Sequence, residues 1–182
     1  MAKRISALEA VYEVGRFGAH LDKPQVEFQL HRDSSIIQVA AWPNTWRDVL
    51  EKLEIDPDLA NQAVGNAQSA ALRVEPLKLW LINWQAVELS SELAHSLDLS
   101  HSRTRLSISG PRAASLLNRF IPIDLRESQF PVNAIASSAM HHVGVTLWRT
   151  DSSYQLFIPR GFAQSIYELL FESALQFGVQ VK

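Results

Sequence analysis

The sequence predicts an α+β fold made of two similar strand–helix units with mainly antiparallel sheets, and three observations point there. The stretch from Asp98 to Leu125, DLSHSRTRLSISGPRAASLLNRFIPIDL, reads as a strand, a tight turn and a helix. Two strands are interrupted at Glu75-Pro76, and Asp151-Ser152-Ser153 is a hairpin turn between two later ones. A long apolar-striped helix follows the last of them. In order, the elements run strand, strand, helix, strand, strand, helix, then strand, helix, three strands, helix, which is two units of like build. No repeat is visible at the level of residues. Residues 1–24 read as an N-terminal arm and 25–182 as one domain, with halves at 25–96 and 97–182.

Each element has its own warrant. In the arm, Leu8, Val11 and Tyr12 make a short helical turn, and Gly15, Gly18 and Pro24 break anything longer. Val26, Phe28 and Leu30 alternate with Glu27, Gln29 and His31, Asp33-Ser34 marks a turn, and a second strand runs from Ser35 to Ala41. These two strands are expected to form a hairpin that Pro43 ends. Asn44 or Thr45 can cap a helix whose stripe is Trp46, Val49, Leu50 and Leu53. The polar stretch from Ile55 to Ser69 is an irregular connection. Strands follow at Ala71 to Val74 and Lys78 to Trp84, then a short helix from Glu88 to Ser96 with Leu89 and Leu93 inward.

In the central stretch, Thr104, Leu106 and Ile108 share one side of a half-buried strand, and Arg103, Arg105, Ser107 and Ser109 share the other. Gly110 permits the turn and Pro111 suits the first position of a helix striped by Ala113, Leu116, Leu117 and Phe120. Strands are expected at Val132 to Ala139, Val143 to Arg149 and Tyr154 to Pro159. The closing helix, Gly161 to Phe177, carries one stripe through Phe162, Ile166, Leu169, Leu170, Ala174 and Phe177 and a second through Tyr167, Phe171 and Leu175. One core covers only one stripe. The second is left for the arm, a neighbouring strand or another polypeptide.

Composition excludes several function classes. The chain has 182 residues, 47% of them apolar and 20% charged, a formal charge of −2 and no cysteine. Near-neutral charge without clustered cations argues against nucleic acid, where phosphate neutralisation dominates binding. No apolar run approaches the ~20 residues of a membrane span, and the first residues lack a signal-peptide core, so cytoplasmic residence is expected. Without cysteine there are no disulfides, thiolate nucleophiles or thiolate metal sites.

The remaining polar groups form no strong chemical signature. His95, Asp98 and His101 have the donor types of a metal site, but on a helix end and a strand start they point apart. His141 and His142 face opposite sides of a strand. Asp98, Ser100, His101 and Ser102 crowd together locally, whereas a hydrolase triad is a meeting of separate elements. Ser109-Gly110-Pro111 has too few glycines to cradle a phosphate. Catalytic, cofactor-binding and metal-binding residues are therefore read as none. Arg103 and Arg105 are spaced to hold two carboxylates or an acidic partner, and with Tyr167, Phe171 and Leu175 they are the candidate partner interface.

Asp98 to Leu125 resembles the glycine-cleavage T protein (aminomethyltransferase) and its folate-binding relatives, through Asp98-Leu99-Ser100-His101, Gly110-Pro111, Ala113 to Leu117 and Asp124-Leu125. Together with Phe130-Pro131, GVTLWR and YQLFIPRGFAQSIYELLFESALQFG, it more narrowly resembles the gamma subunits of heterotetrameric sarcosine oxidases, with Ile158-Pro159-Arg160 and Phe162-Ala163 the most particular part. The resemblance covers about Leu72 to Gly178. It implies the fold of the T protein's folate-binding region and a place as a non-catalytic accessory subunit beside alpha, beta and delta-type subunits. The assembly it implies oxidatively demethylates sarcosine or a related N-methyl amino acid, carries FAD, FMN, NAD and zinc on other chains, and passes the one-carbon unit to tetrahydrofolate on another subunit. The sequence departs from T proteins at His142-Val143-Gly144-Val145-Thr146-Leu147, where those enzymes place a catalytic acid and this chain has no carboxylate. The alternative it leaves is a stand-alone folate-binding protein or aminomethyltransferase.

Overall fold

Two sheets and the helices on their outer faces account for nearly all of the regular structure in a computed structural model that describes residues 5–20, 22–57 and 62–182. In chain order the elements are β1 (Gly15–Phe17), β2 (Val26–His31), β3 (Ile36–Ala41), α1 (Trp46–Lys52), β4 (Ala63–Gly65), β5 (Ala70–Glu75), β6 (Lys78–Ile82) and β7 (Ala94–Asp98). Then come β8 (Arg103–Ser109), α2 (Ala113–Leu117), β9 (Ile135–Met140), β10 (Val143–Arg149), β11 (Ser153–Pro159), α3 (Ala163–Ala174) and β12 (Val179–Val181). Single 3-10 turns flank α3 at Arg160–Phe162 and Leu175–Phe177. The larger sheet has the order β1-β12-β2-β8-β11-β10-β9 and the smaller β4-β5-β6-β3-β7, and every neighbouring pair is antiparallel except β12 with β2.

The period of two along each strand sorts its side chains into three cores. One face of the larger sheet, with Phe28, Leu30, Leu106, Ile108, Leu156 and Ile158, packs under α2 and α3. One face of the smaller sheet, with Val39, Leu79 and Leu81, packs under the Val49, Leu50 and Leu53 stripe of α1. The remaining faces meet each other: Ile36, Leu72, Trp80 and Ile82 from the smaller sheet share a buried cluster with Trp148 and Phe157 from the larger. The Trp80 and Phe157 rings lie edge to face at 5.7 Å, a contact worth about 1 kcal/mol beyond the area it buries. The sheets are also tied through backbone where the Ala63 amide donates to the Asn133 carbonyl at 2.8 Å.

The expected α+β class with antiparallel sheets is observed, and its strand–turn–helix centre lies at β8 and α2. Gly110 has φ of +100°, and a Cβ there would stand 2.5 Å from the Gln25 carbonyl oxygen, so the turn requires glycine. The expected hairpin β10–β11 is present, and β5 and β6 also pair as antiparallel neighbours. No helix among the described residues is long and apolar enough to cross a membrane.

Four expectations need correction. β2 and β3 are not a hairpin: β2 pairs with β8 and β12 while β3 pairs with β6 and β7, so Asp33-Ser34 carries the chain from one sheet to the other. The sheets consequently cut the chain differently from halves at 25–96 and 97–182. No helix forms over 88–96. Leu89 and Leu93 do pack inward, but Ala94–Asp98 gives its backbone groups to β3 as an edge strand. The segment read as an arm supplies core residues, since Leu8 and Tyr12 are buried and β1 extends the larger sheet through β12. Finally, the polar side of β8 does not face solvent, because the smaller sheet and its β4–β5 turn cover it.

Candidate functional site

The polar face of β8 owes its character to a register that stacks polar residues across three strands. Arg105 stands opposite His31 on β2 and Phe157 on β11, Ser107 opposite Gln29 and Gln155, and Ser109 opposite Glu27 and Ser153. The polar side chains among these point to the same side and wall a cleft of about 620 Å³, closed on the other side by Ala67 and Gln68 of the β4–β5 turn, by Asn83 after β6 and by Lys182.

Arg105 is the dominant charge of this cleft and is only 1% exposed. Its Nε donates to Gln155 Oε1 at 2.8 Å and its Nη2 to the Ala67 carbonyl, so it braces the larger sheet against the β4–β5 turn. Gln155 is held in turn by a bond from its Nε2 to Ser153 Oγ at 2.8 Å. The guanidinium also stands 5.8 Å from the Trp148 ring and 5.9 Å from the Phe157 ring, within reach of cation–π attraction. Burial pulls its pKa down to about 10, which leaves it charged at neutral pH. His31, sharing a 2.6 Å hydrogen bond with Ser107 Oγ, is held down to about 4 by burial and then by the Arg105 charge, so its ring is neutral at pH 7. Glu27 is paired with Lys182 at 2.6 Å.

Arg103 does not join Arg105. It is half-buried, its guanidinium stands 5.5 Å from the Trp80 ring, and its Nη1 donates to the Ser102 carbonyl at 3.3 Å. The two arginines share a strand face without converging on one point, and Arg105 lies within the cleft and not on an exposed outer surface.

Tyr167, Phe171 and Leu175 need the same correction as an exposed partner surface. Tyr167 is 2% exposed, with Tyr12 at 5.3 Å and Phe28 at 5.9 Å between ring centres. Phe171 meets Phe17 edge to face at 5.2 Å, and the Leu175 carbonyl accepts from the Ala19 amide at 2.8 Å. The N-terminal segment thus covers the second stripe of α3, one of the coverings that the stripe left open.

The other groups singled out by residue type do not assemble into a centre. Asp98 Oδ1 accepts from the Ser100 amide at 2.8 Å, Ser100 Oγ accepts from the Ile36 amide at 2.9 Å, and His95 and His101 are exposed. No group of three His, Asp or Glu among the described residues is placed to hold a metal ion. On β10 the inter-sheet face carries Thr146 and Trp148, paired with Phe157 and Gln155. Trp148 is fully buried, and no carboxylate lies on β10.

Sequence reasoning missed the cleft, with His31, Gln155 and the Ala67 carbonyl as members. The available signal was that β2 and β8 each present an unbroken polar face, Glu27-Gln29-His31 and Arg105-Ser107-Ser109, which become neighbours once the strands pair.

Comparison with solved structures places this architecture in the class of the aminomethyltransferase T fold. The glycine cleavage system aminomethyltransferase T of Bartonella henselae matches 87% of this chain with 48% of its own, at a TM-score of 0.63 and 13% identity. A chain of the heterotetrameric sarcosine oxidase from Corynebacterium sp. U-96, in complex with pyrrole 2-carboxylate, matches over 96% of both chains at a TM-score of 0.78 and 22% identity. Within that class the chain is similar in sequence to sarcosine oxidase gamma subunits. It is 32% identical over 90 residues to the gamma subunit of Corynebacterium sp. (strain U-96), covering 49% of this chain and 44% of that protein. It is 30% identical over 118 residues to that of Corynebacterium sp. (strain P-1), covering 60% of this chain and 58% of that protein. The matched regions thus span about half the length of these curated relatives. No family model matches the chain.

Proposed function

We propose that this chain is an accessory, gamma-type subunit of a sarcosine oxidase-type assembly and is not itself catalytic. The observation that carries the reading is the likeness to sarcosine oxidase gamma subunits in sequence, together with the fold shared along 96% of the chain with a member of a heterotetramer. The absence of a carboxylate along His142 to Leu147 supports the non-catalytic part: aminomethyl chemistry needs a group to manage a proton or steady a cationic amine, and Thr146 beside buried Trp148 supplies neither. In this reading alpha, beta and delta-type subunits are the partners and the assembly works in the cytoplasm. Oxidative demethylation of sarcosine or a related N-methyl amino acid, with FAD, FMN, NAD and zinc, belongs to those other chains, as does tetrahydrofolate as one-carbon acceptor.

Affinity purification of the tagged chain from its native cell, with the co-purifying polypeptides identified by mass and flavin followed by absorbance, tests this. A yellow complex containing an amino-acid-oxidase-like chain is expected. A colourless monomer that binds tetrahydrofolate tightly contradicts the proposal.

A further inference from the structure

Folded chains rarely leave a buried ion without a counter-ion, because the desolvation it suffers is offset only by an opposite charge or a complete set of hydrogen bonds. Arg105 has neither. Its Nε and Nη2 are matched with the neutral acceptors Gln155 Oε1 and the Ala67 carbonyl, and its buried Nη1 has no hydrogen-bond partner among the described residues. Among the described residues no carboxylate pairs with it. The acid that shares the cleft, Glu27, stands opposite Ser109 rather than Arg105 and is committed to Lys182.

We propose that the cleft walled by β2, β8 and β11 binds a small polar monocarboxylate, whose anionic end supplies the counter-charge that no described residue gives Arg105. The side chains that line the cleft match a monoanion: Glu27 pairs with Lys182, burial keeps His31 neutral at pH 7, and one guanidinium remains. A dianion such as phosphate would be left with a surplus charge beside Glu27. The volume of about 620 Å³ admits an organic body and not merely a halide ion. That body is polar, because Gln29, Ser107, Ser109, Ser153 and Gln155 wall the cleft, and a long hydrocarbon tail would leave these groups without partners.

Calorimetric titration of the full 182-residue chain with sodium lactate, with lactamide as the neutral match, tests the site. Saturable one-to-one binding of lactate, at least about tenfold tighter than lactamide, is expected from a charge-dependent site. Absence of saturable lactate binding, or equal binding of lactamide, overturns the proposal. Arg105→Gln is expected to weaken lactate by about tenfold or more. Because Arg105 also braces the β4–β5 turn, Ser107→Asp provides a second variant that places a resident carboxylate beside the guanidinium. It is expected to raise the melting temperature and abolish lactate binding, and a folded Ser107→Asp chain that binds lactate unchanged contradicts the assignment. Binding by the isolated chain that disappears in a co-purified assembly would assign the counter-charge to a partner's acidic side chain and overturn the free-ligand reading. The result with the chain alone is independent of whether it assembles.

Discussion

The ring of Tyr12 packs 5.3 Å from the ring of Tyr167, so the first described segment closes over the C-terminal helix and hides a stripe that would otherwise face outward. Tyr12 is also a polar tie: its hydroxyl accepts from the buried Leu30 amide at 2.8 Å and donates to the Lys182 carbonyl at 3.0 Å. Burial raises its pKa to about 12, so the hydroxyl keeps its proton across the physiological range. Tyr12→Phe keeps the ring and orphans the Leu30 amide, which is expected to cost about 1–2 kcal/mol in urea unfolding. An unchanged midpoint would show that the tie contributes nothing.

Removal of residues 1–19 uncovers Tyr167, Phe171 and Leu175 together. The truncated chain is expected to self-associate, since contiguous apolar patches of this kind drive association. Light scattering at matched concentration is the readout, and a truncated chain that stays monodisperse would contradict the covering role assigned to this segment.

Two glycines differ in what a methyl group would meet. Gly110→Ala forces a left-handed φ on a residue with a Cβ and drives it into the Gln25 carbonyl, with an expected loss of about 2 kcal/mol or more. Gly144 on β10 has open space around its missing Cβ, so Gly144→Ala is expected to be neutral or to stabilise by about 0.5 kcal/mol. Thermal unfolding of both variants checks the contrast.

These turns show what was legible in the residues. The Gly110 turn, the alternation through β8 and the helical stripe of α3 were readable because each is fixed by local geometry. The destination of a strand was not: Val26 to His31 has the same period whether it pairs with the next strand or with β8, and only tertiary contacts decide. Leu89 and Leu93 fit one face of a helix equally well as an inward-packed loop. β1 and β12 are three residues each, too short to show any period. The cleft escaped for a related reason, since polar alternation on β8 normally means solvent on that side, and here it means a second sheet.

His31 gives the fold a dependence on acid. Its pKa in the folded chain, about 4, lies below the ordinary value of 6.5, so the unfolded chain binds the proton first. This contribution is complete above about pH 6.5 and is lost progressively as pH falls towards 4. Urea midpoints measured between about pH 7.5 and about pH 4.5 are expected to fall, and His31→Gln to flatten that slope. An NMR titration placing the His31 ring above pH 6 would contradict the burial assigned to it.

Sarcosine-dependent hydrogen peroxide formation, measured on the purified chain alone and on the complex recovered with its native companions, tests the accessory assignment most directly. The account predicts no turnover by the chain alone and turnover by the complex. Peroxide production, or methyl transfer to tetrahydrofolate, by the companion-free chain would contradict it.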